Sequence, residues 1–154
     1  MNHAPTGYVC PFCRIVAGDS VVNGHSVDML LKDDDVTAFI SLHQWPANKG
    51  HVLIVPNLHY ENLYELPERY GAAIHRAART MAFALKQAFN CAGISTRQHN
   101  EPAGNQDVWH YHLHVLPRFP DDNLYGCLPS LISTEERAEQ ARRIREALET
   151  LDEQ

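Results

Sequence analysis

The sequence predicts an α+β fold, an antiparallel sheet with two main helices. Three observations carry that prediction. Short β-branched and apolar runs are bounded by Pro, Gly and Asn, two long stretches place apolar residues at helical spacing, and no repeat or low-complexity tract interrupts them. At 154 residues and 44% hydrophobic content the chain can bury one continuous core, so a single domain over residues 1–154 is expected.

Residues 1–8 form a polar lead with Pro5 and Gly7, expected to be loosely ordered until the turn Cys10-Pro11-Phe12-Cys13. Residues 36–40 and 51–55 read as strands, and Trp45, Pro46, Asn48 and Gly50 between them suggest a hairpin-like pair. After Pro67, the spacing of Ile74, Ala77, Ala78, Met81, Leu85 and Phe89 predicts a helix that ends near Gly93. A strand over 94–97, a loop over 99–106 and an alternating strand over 108–116 follow, with Pro117 expected to end the last. Residues 120–129 are turn-rich, and Ser133 with Glu136 makes a capping box for a helix over 133–152. Arg137, Arg142, Arg143 and Arg145 alternate with glutamates there and read as a solvated face.

A formal net charge of -6 leaves no positive field to hold a nucleic-acid polymer. A nucleotide in a pocket stays possible, because local amides and histidines can neutralise its phosphates. No apolar run approaches a bilayer span and the first residues lack a signal-peptide pattern, so a cytoplasmic protein with no membrane partner is expected. Four cysteines are too few for a disulfide scaffold in a chain of this length.

Ten histidines are the compositional oddity. On an alternating strand, His110, His112 and His114 share one face while Tyr111, Leu113 and Val115 share the other. A strand whose other face is apolar lies against the core, where unused imidazoles are costly, so a solvated edge explains the row poorly. Three convergent imidazoles suit a metal ion or phosphate chemistry. Cys10 and Cys13 supply two thiolates from one turn, half of a zinc site, which Cys91 and Cys127 could complete; no thioredoxin-like context supports a redox pair.

The run His110-Tyr111-His112-Leu113-His114-Val115-Leu116, with Gln106 four residues before it, resembles the histidine triad family of nucleotide hydrolases and transferases. The resemblance extends to Phe39, to Gly50-His51 with residues 52–56, and to His59, covering about residues 10–119. It implies a small-molecule nucleotide substrate, such as a dinucleoside polyphosphate or nucleoside phosphoramidate, and no organic cofactor. His112 would attack the α-phosphorus to give a nucleotidyl-histidine that water then cleaves. His114 would hold or protonate the departing group, with His51 as a further site histidine. If residues 51–55 pair antiparallel with 108–116, His51 lies near His114 and residues 56–59 lie near His110.

The resemblance implies that Phe39 and Ser41 fall at the nucleoside positions, while the backbone amides at Asn105, Gln106 and Asp107 either donate to phosphate oxygens or form an ordinary turn. Some bacterial relatives bind a structural zinc through residues matching Cys10, Cys13, His59 and His110. Two departures stand out: Ser41 where many relatives have aspartate, and Asn105-Gln106-Asp107 for Gly-Gln-Ser. A carboxylate at 107 would repel phosphate unless it pairs with a cation such as Arg118. Trp45 and Trp109 read as packing residues, while His3, His25, His43, His75 and His99 have ordinary surface or capping explanations. Family members pair by sheet extension, so a homodimer is expected by analogy. Two other functions stay open: a metal-dependent hydrolase with the histidine row as ligands, and a nucleotide-binding scaffold with little turnover.

Overall fold

The structure, a computed structural model, describes residues 2–152; Met1, Glu153 and Gln154, at the ends of the expected domain, lie outside the described residues. Helix α1 (Pro11–Ala17) is followed by β1 (Val21–Val22), β2 (His25–Ser26), β3 (Met29–Lys32), β4 (Val36–Ile40), β5 (His43–Gln44) and β6 (Val52–Pro56). Then come α2 (Glu68–Phe89), β7 (Gly93–Gln98), a 3-10 turn at Pro102–Gly104, β8 (Leu113–Arg118), β9 (Ser130–Leu131) and α3 (Thr134–Asp152). Five strands form one antiparallel sheet in the order β3-β4-β6-β8-β7, with two-stranded ribbons β1-β2 and β5-β9 beside it. Expected and observed strands agree at β4, β6 and β7, and β4 pairs with β6 from Val36↔Pro56 to Ile40↔Val52.

All five residues of β4 and all five of β6 are buried, because both faces of the sheet are covered. On one face Val36, Ala38, Val52, Ile54 and Val115 pack with Ile74, Met81 and Leu85 of α2 and Ile144 of α3. On the other, Phe39, Leu53 and Val55 pack against Phe12 and Ile15 of α1. That second face carries the site. Helix α1 is short but well stopped: the Cys10 thiol accepts from Cys13 N, Pro11 opens the helix, and Gly18 closes it at φ 103°. Helix α2 ends at Phe89, a few residues before Gly93, because Asn90 takes the left-handed cap at φ 51° and donates to Lys86 O. Half of the expected capping box forms on α3: Glu136 N donates to Ser133 Oγ at 3.1 Å, while the Glu136 carboxylate pairs with Lys49 instead. Part of the lead is also held, since His3 N and Ala4 N donate to the buried Glu61 carboxylate at 2.6 and 3.3 Å.

Three sequence expectations need correction. The strand predicted over 108–116 runs from Leu113 to Arg118 instead. His110 N donates to Val108 O at 2.8 Å, a turn centred on Trp109 that takes residues 108–110 out of any ladder. Pro117 does not end the strand. It pairs with Ile94 of β7, and its carbonyl points the other way, accepting from Asn48 Nδ2 at 2.9 Å, so the missing N–H costs the β7 ladder nothing.

Arg137 is not part of a solvated face either. Its side chain is 1% exposed and donates to Asp28 Oδ2, Ile132 O and Ser26 Oγ, tying α3 to the β2–β3 connection. No helix of the described residues is long and apolar enough to cross a membrane. Arg137→Leu would strand the Asp28 carboxylate at 13% exposure and should lower unfolding free energy by about 3 kcal/mol, read as a drop in the urea midpoint. An unchanged midpoint would mean the pair holds nothing.

Candidate active site and cysteine-histidine cluster

A cavity of about 470 Å³ opens between α1, the β1-β2 ribbon and the sheet. Its floor is apolar, with Phe12, Ile15, Val22, Phe39 and Leu53, and its inner end is lined by His51, His112 and His114. The sheet register explains the grouping. Leu53 faces His114 across the β6–β8 ladder, so His51, two residues before Leu53, reaches the same place. His51 Nε2 and His114 Nδ1 lie 2.9 Å apart with their rings stacked at 5.1 Å.

Backbone carbonyls dictate where each imidazole carries its proton. His51 donates from Nδ1 to His43 O at 2.9 Å, which leaves its Nε2 to accept from His114 Nδ1. His114 Nε2 is then a lone pair, buried and without a hydrogen-bond partner. His112 donates from Nδ1 to His110 O at 2.7 Å, leaving Nε2 as a lone pair beside the cavity. His110 is the reverse: Nε2 donates to Pro56 O at 2.9 Å, so Nδ1 is the free nitrogen.

Burial keeps these rings uncharged. It pushes His51 down to about 4, against an opposing bond to His43 O. Burial pushes His110 down to about 4 as well, and His114 further, to about 2, with His51 and His112 adding to the effect. His112 is also lowered by burial, although Asp107 works the other way. The 3.7 Å approach of Asp107 Oδ1 to His112 Nε2 is therefore not an ion pair, and the Asp107 side chain is 83% exposed.

The row does not serve one ligand. His110 turns away from the cavity toward Cys10 Sγ at 3.4 Å and Cys13 Sγ at 3.5 Å, while His59 Nδ1 lies 3.2 Å from Cys13 Sγ. These four ligand atoms lie within 4.8 Å of one another. Tetrahedral zinc with ordinary Zn–S and Zn–N bonds would set sulfur and nitrogen about 3.5 Å apart, which these contacts match. Cys91 and Cys127 stand elsewhere, and all four cysteines are free thiols. Burial and the nearby Cys10 push the Cys13 thiol up to about 12, a bias that only a cation among the four groups would reverse.

Other expected residues divide. Phe39, Ser41 and Asp107 line the cavity, whereas Asn105 and Gln106 are not among its lining residues. The Ser41 hydroxyl donates to His43 O at 3.0 Å. Gln106 braces the loop: its Nε2 donates to Glu61 O and Val108 O and its Oε1 accepts from Glu101 N. Arg118 does not neutralise Asp107, because it is bound to Asp122 at 2.6 Å. Trp45, expected to pack, lines the cavity with its ring 5.6 Å from His51. His99, assigned an ordinary role, stands edge-on to His114 at 5.4 Å and donates from Nδ1 to Gly104 O. A signal for His99 existed, since β7 was legible and pairing it with the histidine strand brings its end to His114.

The family model for the HIT domain matches residues 24–121. Protein hit of Bacillus subtilis (strain 168) is 32% identical over 119 residues, 77% of this chain and 77% of that protein. Adenylylsulfatase HINT3 of Arabidopsis thaliana is 32% identical over 117 residues, 76% of this chain and 56% of that protein. Among solved structures, a zinc-bound histidine triad family protein from Mycobacterium smegmatis is similar at TM-score 0.78 and 28% identity, covering 94% of this chain and 96% of that one. With the family model spanning most of the sheet and all three triad histidines, the chain belongs to the HIT domain family.

Proposed function

We propose that the protein is a nucleotidyl hydrolase or transferase that cleaves at the α-phosphate of a nucleoside phosphate derivative through a nucleotidyl-His112 intermediate. One observation carries the reading: His112 is held by His110 O so that an uncharged Nε2 lone pair borders a cavity with an apolar floor. That floor, Phe39 and Leu53 above all, suits a nucleobase and ribose, with Ser41 at the sugar. Asp107 and Val108 bring loop backbone to the same end of the cavity, where amides at 105–107 would face phosphate oxygens. The relationship to an adenylylsulfatase supports hydrolysis over mere binding.

The first step forms a bond from His112 Nε2 to phosphorus and breaks the bond to the leaving group, which departs with the electron pair. Water then attacks phosphorus, its proton passes to the unpartnered His114 Nε2, and the breaking N–P bond returns its pair to His112. His51 holds His114 in the required tautomer.

Zinc suits Cys10, Cys13, His59 and His110, and would there supply a cross-link between α1 and the segment carrying the nucleophile, with no position left for water. The protein would act in the cytoplasm, where its four free thiols stay reduced, as a homodimer that extends the sheet from an edge strand, β3 or β7.

His112→Ala should lower kcat by about 10³-fold or more. Mass spectrometry of acid- and heat-avoiding quenches should find a nucleoside monophosphate on wild-type His112 during turnover and none on the variant. Normal turnover by the variant would end the proposal.

Zinc should bind at one per chain and be lost in Cys13→Ser, and chelation should lower Tm while turnover well below Tm persists. Turnover lost on chelation with the fold intact would instead make the metal catalytic.

Proton linkage gives a further outcome. His51 and His114 titrate at about 4 and about 2 in the folded chain but at 6.5 when free, so between 6.5 and 4 only the unfolded chain takes up these protons. Stability should be flat above pH 6.5 and fall as pH drops below it, by up to about 1.4 kcal/mol per pH unit for each histidine. Urea unfolding at pH 7, 6 and 5 reads this, and His51→Gln should flatten the slope. A wild-type profile level across that range would show that the folded chain takes up these protons as readily as the unfolded one.

A further inference from the structure

Arg97 is the one charged side chain of β7 that shares a face with the histidine site. It pairs in register with His114, and cross-strand partners project from the same face of the sheet. Its guanidinium is set between two rings, 5.2 Å from the centroid of Trp45 and 4.6 Å from that of Tyr125. Trp45 in turn lies against His51. Among the described residues no carboxylate forms a salt bridge with Arg97, since Asp122 is taken by the neighbouring Arg118 and Asp107 approaches His112. Arg97 Nη2 is buried with no hydrogen-bond partner, one strand away from His114 Nε2, which is in the same condition. Arg97 is half-buried and stands outside the cavity lining, meeting it through Trp45 and His114, and an anion at that edge of the cavity would satisfy its unpaired Nη2.

The proton positions point the same way. His51, His99 and His112 each commit their Nδ1–H to a backbone carbonyl, and His114 commits its own to His51. His51 and His114 therefore meet their surroundings at Nε2 as acceptors, and neither has a spare N–H for a departing group. An amine cannot leave phosphorus without gaining a proton on nitrogen. A sulfate or phosphate leaves as the anion, carrying the electron pair of the broken P–O bond and needing no proton.

We propose that Arg97 forms the leaving-group subsite of this chain and selects substrates whose α-phosphate is joined through oxygen to an anionic acid, a phosphate or sulfate, over those joined to an amine. The inference rests on the nucleotidyl-transfer reading above and narrows it. Arg97 contributes a charge-assisted hydrogen bond to the developing anion, and the Trp45 and Tyr125 rings keep its fork aimed.

Adenylyl sulfate and adenosine 5′-phosphoramidate test this directly, because they deliver the same adenylyl group with different leaving groups. The wild-type chain should show the larger kcat/KM on adenylyl sulfate. In Arg97→Gln the ratio of the two kcat/KM values should fall by about 10- to 100-fold, the loss expected for one charge-assisted hydrogen bond, and Arg97→Lys should recover part of it. A ratio that does not move in a folded Arg97→Gln chain overturns the proposal. So does a wild-type preference for the phosphoramidate, which decides the matter even if the variant fails to fold. Adenylyl-His112 formed from both substrates with an unmoved ratio removes this inference alone, whereas no turnover and no adduct from either removes the transfer reading along with it.

Discussion

The antiparallel register of β6 on β8 is the constraint from which the site follows. Leu53 facing His114 brings His51 onto the His114 ring at one end of the ladder and sets the Pro56 carbonyl at His110 at the other. A slip of one residue would turn every side chain of β6 to the opposite face, sending Ile54 into the cavity and Leu53 into the helix-packed core. Such a slip is prevented by burial on both faces, since all of β4 and β6 is enclosed and each alternate residue already has an apolar partner. The chemistry thus rests on a hydrophobic register.

The same enclosure explains why four imidazoles can sit together uncharged. Desolvation is the leading cause of the lowered basicity of His51, His110, His112 and His114, and mutual repulsion among the rings adds to it. A neutral imidazole needs one proton placed and one lone pair left open, and His43 O, His110 O and Pro56 O do that placing through the rigid backbone. Because these acceptors are main-chain atoms, the tautomers survive most side-chain substitutions around them. Position and protonation state are set by one scaffold.

What was legible in the sequence is what periodicity encodes. The apolar spacing of Ile74, Met81 and Leu85 reports α2, and the β-branched runs report β4 and β6, because in each case burial of one pattern decides the structure. The His51–His114 and His59–His110 pairs were foreseeable once two strands were paired. The bend at residues 108–110 was not, because alternation in the letters continued where the backbone had turned, held by the His110 N to Val108 O bond and by Gln106 on Val108 O. Arg137 looked like its exposed neighbours on α3, and only the distant Asp28 and Ser26 make it a buried tie. His99, Trp45 and Arg97 carry no signal in their own letters for the same reason: each gains meaning from a partner far along the chain.

Phe12 is where the two halves of the site meet. Its ring lies edge-on to His110 at 5.9 Å, to His112 at 5.3 Å and to Phe39 at 5.4 Å, so one side chain of α1 separates the thiols from the cavity. Helix α1 has only seven residues and is too short to be stable by itself. Its apolar contacts are Phe12 and Ile15, and its first turn carries Cys10 and Cys13. Anything that binds those thiols to His59 and His110 therefore fixes Phe12, and Phe12 in turn walls the space beside His112. The cysteine pair thus bears on the His112 end of the cavity through packing alone.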